Sequence, residues 1–395
     1  MHRSQPESGP SLRPLADTPA PRLGILGGGQ LAKMTAAAAA KFGCEVVVLE
    51  RHDDFPAHSV DTHAIIGDWN DPRELLKLAP LVDVVTLENE FVDTSALVVL
   101  ADSRHQLWPA VTTIALVQDK LLQKQAFAQA GLPVLRFAPA PSMDAIERFG
   151  LPAVLKKRRN SYDGKGNATL RVPGDIAAAW TKLDGSREAL YVEAFCDFAL
   201  ELAIIVTRSQ DGKVARYPVV ETINREHICH IVKAPAAVPE EVARAAGDIA
   251  EHAITAIGGV GSFGMEMFLL ADGRLLVNEI APRVHNTGHY TIEACTTSQF
   301  ENHVRAVLNW PLGSTEMVAP AAAMVNLLGF GDGDGTALGL SEALQVPGAH
   351  VHVYGKSRSA HGRKMGHVTA LGSTPEAAYA TAQRAADCIR FGGNR

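Results

Sequence analysis

The chain has 395 residues, 47% apolar and 20% charged, with a formal net charge of −6. That length calls for two or three packed domains rather than one core, and the composition excludes a fibre or a disordered chain. The mildly acidic balance excludes the basic stripe of a nucleic-acid binder, and the five scattered cysteines, with no CxxC pair, argue against a zinc site or disulfide framework.

Residues 1–20 are rich in Pro and Ser and read as a flexible tail without the apolar region of a signal peptide. No apolar run reaches the length of a membrane span, so a soluble cytoplasmic protein with no membrane partner is expected. Strand Leu23–Leu26, the turn Gly27-Gly28-Gly29, helix Gln30–Phe42 and strand Cys44–Leu49 form a βαβ unit, which implies a parallel sheet. Further strands are expected at Ala64–Ile66 and Val82–Thr86. The helix between them starts at Asp71-Pro72, a capping residue followed by a first-turn proline. Helix Asp119–Ala130 follows, then strands Ala153–Lys156, Leu190–Glu193 and Ala199–Thr207, the last turning at Asp211-Gly212 into Val214–Val220. Val238–Ile257 is a long amphipathic helix. Phe263–Leu269 and Leu275–Ile280, joined by Asp272-Gly273, are the clearest hairpin. Helix Ser298–Leu308 precedes a small terminal region with strands Ala323–Leu328 and His350–Tyr354 and a last helix over Pro375–Ile389.

Four places carry chemistry. Gly27 to Ala32 fits G-x-G-x-x-A between a strand and a helix, with Glu50 closing the next strand. A dinucleotide, another phosphate-bearing ligand or a purely structural turn all satisfy it. Glu88 to Phe91 follow a parallel strand, where ligands commonly bind. Lys156 to Gly166 is a basic loop with glycines at 164 and 166, able to fold over a polyphosphate. Glu266 and Glu279 flank the hairpin turn and, paired across it, can point to one face, as a metal site, a glycosidase-like acid–base pair or solvated, salt-bridged carboxylates. Paired carboxylates are costly without a cation, and Mg²⁺ accepts such hard oxygen ligands. Asn278 alternates away from them unless the strand bends. The polar stretch Arg283 to Tyr290 follows at once; Tyr354-Gly355-Lys356 and Gly362 to His367 add positive charge near the C-terminus.

Taken together, Gly27 to Leu31, Glu88 to Phe91, Asp119-Lys120 with Gln123-Lys124, Lys156 to Gly166, Asn278 to Tyr290, Tyr354 to Lys356 and Gly362 to His367 closely resemble the N5-carboxyaminoimidazole ribonucleotide synthetases of the ATP-grasp superfamily. The resemblance runs from about Pro21 to the C-terminus. It implies α/β and α+β architecture: an ATP-grasp fold with an N-terminal Rossmann-like parallel-sheet domain (21–120), an ATP-grasp domain (121–315) with a mobile lid around 150–200, and a small β-rich C-terminal domain (316–395). It implies ATP-dependent carboxylation of 5-aminoimidazole ribonucleotide with bicarbonate through carboxyphosphate, in purine synthesis. Mg-ATP is the implied cofactor, with Mn²⁺ as a substitute for Mg²⁺, and a homodimer the implied assembly, for which Val92–Leu100 offers an apolar interface.

By the same resemblance Lys156, Tyr162, Arg283 and His285 are the catalytic candidates. ATP falls to Lys120, Lys156, the loop Ser161, Tyr162, Asp163, Gly164, Lys165 and Gly166, then Glu193, Ala194, Phe195, Cys196, Glu201, Asn224, Asn278 and Glu279. The metal falls to Glu266 and Glu279. The aminoimidazole nucleotide and the reacting carboxylate fall to Gly28, Gly29, Gln30, Leu31, Glu90, Tyr162, Arg283, His285, Asn286, Lys356, Arg363 and Lys364. Many relatives carry histidine where this chain has Asn224, so either Asn224 or His227 fills that place. The alternatives are a formate-dependent glycinamide ribonucleotide transformylase or biotin-carboxylase-like enzyme, an NAD-dependent dehydrogenase, and an ATP-binding module without turnover.

Overall fold

The structure is a computed structural model that describes residues 20–60, 62–102, 106–160 and 166–392. Its first unit contains β1 (Arg22–Leu26), α1 (Gln30–Ala40), β2 (Glu45–Glu50), β3 (His63–Ile66), α2 (Pro72–Leu78), β4 (Val84–Leu87), α3 (Thr94–Asp102), β5 (Gln106–Leu107) and α4 (Val111–Gln118). The strands form a five-stranded sheet in the order β3-β2-β1-β4-β5, with every pair parallel. Its central strands are buried on both faces, as parallel sheets require. Asp71 caps α2 by accepting the Arg73 N–H, and Pro72 fills its first turn, as the sequence indicates.

Next come α5 (Lys120–Gln129), β6 (Phe137–Pro139), α6 (Met143–Phe149), β7 (Ala153–Lys157), β8 (Asn167–Leu170), α7 (Asp175–Lys182) and β9 (Leu190–Ala194). Their strands make a separate antiparallel sheet, β6-β9-β7-β8, with its own small core under α6 and α7. Then follow β10 (Leu200–Arg208), β11 (Val214–Arg216), β12 (Val220–Arg225), β13 (Ile228–Ala234), α8 (Glu240–Ala256), β14 (Gly261–Leu269), β15 (Leu275–Ala281), α9 (Thr291–Ala294) and α10 (Gln299–Val307). The chain closes with β16 (Ala321–Leu328), β17 (Gly333–Asp334), α11 (Leu340–Ala343), β18 (Ala349–Val353), β19 (Arg358–Ser359), β20 (Lys364–Gly372) and α12 (Pro375–Cys388).

One nine-stranded sheet, β15-β14-β10-β12-β13-β16-β20-β18 with β11 beside β10, runs from the carboxylate hairpin into the C-terminal region. α8 covers one part of it through Ala246, Ala250, Ala253 and Ile254, and α12 covers the C-terminal part. The stretch Val214–Val220, expected as one strand, is broken at Tyr217–Val219: β11 and β12 pair with opposite ends of β10. Strands β13 and β20 have no counterpart in the sequence reading.

Helix α10 lies against α1, where Phe300, Val304 and Val307 pack with Leu31, Ala32 and Ala36. The first unit and the large sheet therefore share a core, and the buried Thr86 hydroxyl meets His303 Nε2 at 2.9 Å across it. In the Val92–Leu100 stretch, Val92, Ala96, Leu97 and Leu100 are buried in the first unit's own core, while Val98 is 47% exposed. Among the described residues no helix is long and apolar enough to cross a membrane.

Candidate active site

The carboxylate hairpin forms as its sequence indicates, with one added feature. Glu266 pairs with Glu279, but Met267 pairs with Val277, so Asn278 is the extra residue of a β-bulge. A bulge bends the strand and re-aims a side chain. Met267 and Val277 stay in the core, while Asn278 Nδ2 reaches Glu266 Oε2 at 3.3 Å. The ideal alternation that would send Asn278 away is broken at this one position. Lys120, at the start of α5, ion-pairs with Glu279. Burial and then the Glu279 charge push Glu266 up to about 7. Burial also acts on Glu279, but Lys120, Lys156 and His285 outweigh it and hold that carboxyl down at about 2. Two facing carboxylates, one of them reluctant to ionise, are what a divalent cation relieves.

A second charge cluster sits at the root of the small sheet. Glu193 on β9 is 1% exposed and lies between Lys124 Nζ of α5 at 2.5 Å and Lys156 Nζ of β7 at 2.6 Å. Burial disfavours its charge, but the two lysines win and its pKa is lowered. Lys124 Nζ also donates to the Val277 carbonyl at 2.9 Å. Gln123 brackets Ile280, donating to its C=O at 3.0 Å and accepting its N–H at 3.1 Å. Of the basic run, Lys156 joins this cluster. Lys157 pairs with Glu188, and Arg158 makes a two-pronged contact with Asp119, which also caps α5. The two arginines of the run, Arg158 and Arg159, tie the small sheet to Asp119. Ser161, Tyr162, Asp163, Gly164 and Lys165 lie outside the described residues. Gly166 is described, with φ +97°, its carbonyl accepting the Lys157 N–H at 2.9 Å. Glu193 is thus buried in an ion-pair cluster; Ala194, Phe195 and Cys196 continue from it to a half-buried rim. Glu201 accepts a hydrogen bond from Asn224. His227 lies in the adjoining turn, close enough for its charge to be felt at Glu201, while Asn224 makes the hydrogen bond.

The loop after β15 closes the site. Arg283 forks onto Glu90, with Nε to Oε2 at 2.5 Å and Nη2 to Oε1 at 3.2 Å, and despite burial this holds the Glu90 pKa down. The His285 ring lies 3.8 Å from Glu266 Oε1. Burial, then the positive charges of Arg283 and Lys364, depress it to about 3, so it is a neutral imidazole at physiological pH. Lys364 of β20 is felt at Glu266 and His285, and Lys356 at Glu88. Lys356 Nζ donates to the Lys364 carbonyl at 2.7 Å, while the Arg363 guanidinium donates to the Arg358 carbonyl at 2.6 Å. A cavity of about 230 Å³ between the first unit and the hairpin is bordered by Glu90, Lys120, Arg159 and Glu279.

The N-terminal glycine turn is filled by the protein's own acids. The Gly28 N–H donates to Glu50 Oε2 at 2.7 Å, and a Cβ on Gly29 would run into the Glu88 carboxylate. A pyrophosphate at this turn would have to displace Glu50 and lie beside Glu88, which disfavours a dinucleotide. Gln30 opens α1 at this edge, and Leu31, whose N–H is 3.4 Å from Glu88 Oε1, is buried. Glu88 is legible as an acidic group at a strand end, whereas the buried pairing of Lys124 and the bracket formed by Gln123 escape residue-by-residue reading. The spacing of Gln123 and Lys124 after the Asp119 cap was the available signal.

Three family models match in chain order: a ribonucleotide synthetase preATP-grasp domain over residues 21–118, an ATP-grasp domain over 125–300, and a phosphoribosylaminoimidazole carboxylase C-terminal domain over 322–381. The chain is 42% identical to an N5-carboxyaminoimidazole ribonucleotide synthase of Synechococcus elongatus, covering 90% of each. It belongs to the N5-carboxyaminoimidazole ribonucleotide synthase family. A family enzyme of Thermotoga maritima superposes with a TM-score of 0.86 at 38% identity, covering 95% of this chain and 100% of that one. The family member from Aspergillus clavatus, solved with ADP and 5-aminoimidazole ribonucleotide, gives 0.86 at 36% identity, covering 93% and 98%. Against the phosphoribosylaminoimidazole carboxylase of Schizosaccharomyces pombe identity is 40%, and this chain spans 65% of that protein's length. The expected ATP-grasp architecture, with its N-terminal parallel sheet and C-terminal β-rich part, is therefore the one this chain has.

Proposed function

We propose that this chain carboxylates 5-aminoimidazole ribonucleotide with bicarbonate at the expense of ATP, yielding N5-carboxyaminoimidazole ribonucleotide, ADP and phosphate. The observation that carries the proposal is the bulged hairpin. It sets Glu266, Asn278 and Glu279 on one face beside Lys120, with Arg283 and His285 following on the same strand's exit. A cation between Glu266 and Glu279 fits this donor set: hard oxygens, one of them with its pKa raised by burial and its neighbour. Bound there, it would neutralise charge on phosphoryl oxygens. Among the described residues no cluster of three or more His, Cys, Asp or Glu side chains is placed to hold a metal, so Glu266 and Glu279 are the two side chains that would hold it.

In this reading a bicarbonate oxygen attacks the ATP γ-phosphorus and ADP leaves, giving carboxyphosphate. The exocyclic amine of the nucleotide then attacks the carboxyl carbon, or CO₂ released from it, phosphate departs and the amine loses one proton. Lys120 and Lys156 supply fixed positive charge beside the phosphates. Arg283, held side-on by Glu90 and donating to the Val284 carbonyl, supplies a fixed positive charge for a carboxylate or phosphoryl group. His285 is neutral because it is buried among cations; the proton of the amine goes to His285, to a carboxylate or to the released phosphate. Glu201 with Asn224 meets the ribose, and Ala194 to Cys196 meet the adenine. The loop Ser161 to Gly166 covers the phosphates, while Gly28 to Leu31, Asn286, Lys356, Arg363 and Lys364 contact the acceptor nucleotide. A cytoplasmic homodimer belongs to the same reading, and light scattering on the purified chain tests its assembly.

The decisive experiment measures phosphate release from Mg-ATP and bicarbonate with and without 5-aminoimidazole ribonucleotide, trapping labelled carbon in product. Strong stimulation with label in an acid-labile product is the expected result. A folded, ATP-binding sample that the nucleotide fails to stimulate refutes the proposal, and formate with glycinamide ribonucleotide is then the next substrate pair.

A further inference from the structure

The loop that carries Arg283, His285 and Asn286 is gripped by two buried carboxamides that do not line the hairpin. Gln299, the first residue of α10, is 0% exposed. Its Oε1 accepts the His285 backbone N–H at 2.9 Å, and its Nε2 donates to the His285 carbonyl at 2.7 Å. Both main-chain polar groups of one residue thus end on one side chain. A primary amide presents an acceptor and a donor in that fork at any physiological pH, which an ionised carboxylate does not. The same Nε2 lies 3.3 Å from His289 Nδ1. A Cβ on Gly288 would sit 2.6 Å from the Gln299 carboxamide, so the loop closes tightly around it.

One residue further on, Asn286 and Asn326 form a reciprocal amide pair: Asn286 Nδ2 donates to Asn326 Oδ1 at 2.9 Å, and Asn326 Nδ2 donates to Asn286 Oδ1 at 2.6 Å. Asn326 Nδ2 also donates to the Cys229 carbonyl at 2.9 Å, which sets the orientation of its amide. The Asn286 oxygen and one of its N–H groups are thereby committed to β16, and its second N–H is the donor it has left to offer. The opposite wall is the β14 backbone at Gly264, where a Cβ would strike the His285 side chain.

We infer that Gln299 and Asn326 are positioning residues for the reaction: Gln299 sets where the His285 ring stands relative to Glu266, and Asn326 sets Asn286 as a one-hydrogen donor. This rests on the carboxylation reading above. Neither residue reaches the hairpin carboxylates; each acts through the loop.

The test uses the full chain with Gln299→Leu, Gln299→Glu and Asn326→Asp. Displacing the loop by about 1 Å is expected to lower kcat by about 10²-fold, with KM for ATP unchanged. Gln299→Glu carries a specific signature. An ionised glutamate accepts only and opposes the His285 carbonyl, whereas a protonated one restores the acceptor–donor fork. Its kcat relative to wild type is expected to rise as pH falls, and that of Gln299→Leu is not. Asn326→Asp is expected to raise KM for bicarbonate or the acceptor nucleotide and spare KM for ATP. Crystal structures of folded variants read the His285 and Asn286 positions without turnover. A loop unmoved in all variants, or kcat within about threefold of wild type in both Gln299 variants, overturns the inference. A wild-type chain that the nucleotide does not stimulate counts against the carboxylation reading alone, and loop displacement in the crystals still decides this one.

Discussion

Replacing Glu193 by Gln tests the cluster at the root of the small sheet. The carboxylate is 1% exposed and sits 2.5 Å from Lys124 Nζ and 2.6 Å from Lys156 Nζ. Removing its charge leaves two ammonium groups facing each other, one of them buried with it. Breaking a buried pair in this way costs about 3–5 kcal/mol. Lys124 keeps its bond to the Val277 carbonyl and, with a pKa already lowered by burial, escapes part of the penalty by shedding its proton, which places the cost near 3 kcal/mol. For a unit of roughly this size each kcal/mol moves Tm by about 2–4 °C, so the fall is of order 10 °C. The pH dependence has a sign. Glu193 has a lowered pKa in the folded chain, so its contribution is full above the unfolded carboxyl value and is lost as pH falls through the folded one. Thermal scans across acid pH should therefore show the wild-type and Glu193→Gln curves converging below about pH 4. A variant within about 1 kcal/mol of wild type at pH 7 would refute the reasoning.

Because Glu266 is pushed up to about 7, a cation at the hairpin competes with a proton there. Mn²⁺ affinity, followed by titration, should fall up to about tenfold per pH unit below 7 and lose this slope in Glu266→Gln. Arg283→Lys keeps the charge but not the fork onto Glu90; steady-state kinetics should show kcat/KM for the acceptor nucleotide reduced by about 10²-fold. Gly28→Ala places a methyl group against the Phe55 ring and should destabilise the first unit by about 1–3 kcal/mol in denaturant unfolding. An unchanged midpoint would mean that Phe55 moves aside freely.

Much of this architecture was legible because local signals agreed with the fold. The βαβ opening, the Asp71-Pro72 start, the α8 amphipathic run and the Asp272-Gly273 hairpin are all patterns a short window contains. The bulge at Asn278 was not legible, since nothing in Leu275–Ile280 distinguishes a strand with an extra residue from a regular one; it is set by Glu266 and the core pair Met267 and Val277 across the hairpin. Strand β13 mixes His230 and Lys233 with apolar residues, and β20 opens with Lys364 and Gly366, so both resemble solvated turns. Their identity comes from pairing with β16. Gly366 belongs there because a Cβ would collide with the His352 carbonyl of β18. In the site, the residue types were readable and their partners were not: Glu193 among its lysines and Glu90 under Arg283 depend on contacts from 37 to 193 positions away.

The division of strands between two sheets has a mechanical consequence. Glu266, Glu279, Asn326 and Lys364 all stand on a single continuous plate, whereas Lys156 and Glu193 stand on a four-stranded flap that shares no strand with it. The C-terminal strands cannot swing away as a lobe without breaking the strand pairing of the plate. Lys124 pins Glu193 to the plate side at the flap's base, and a buried ion pair resists separation far more than rotation. The two carboxylates and Lys364 are thus fixed relative to one another by strand pairing, whereas Lys156 is held in place through side-chain charge, by way of Glu193 and Lys124.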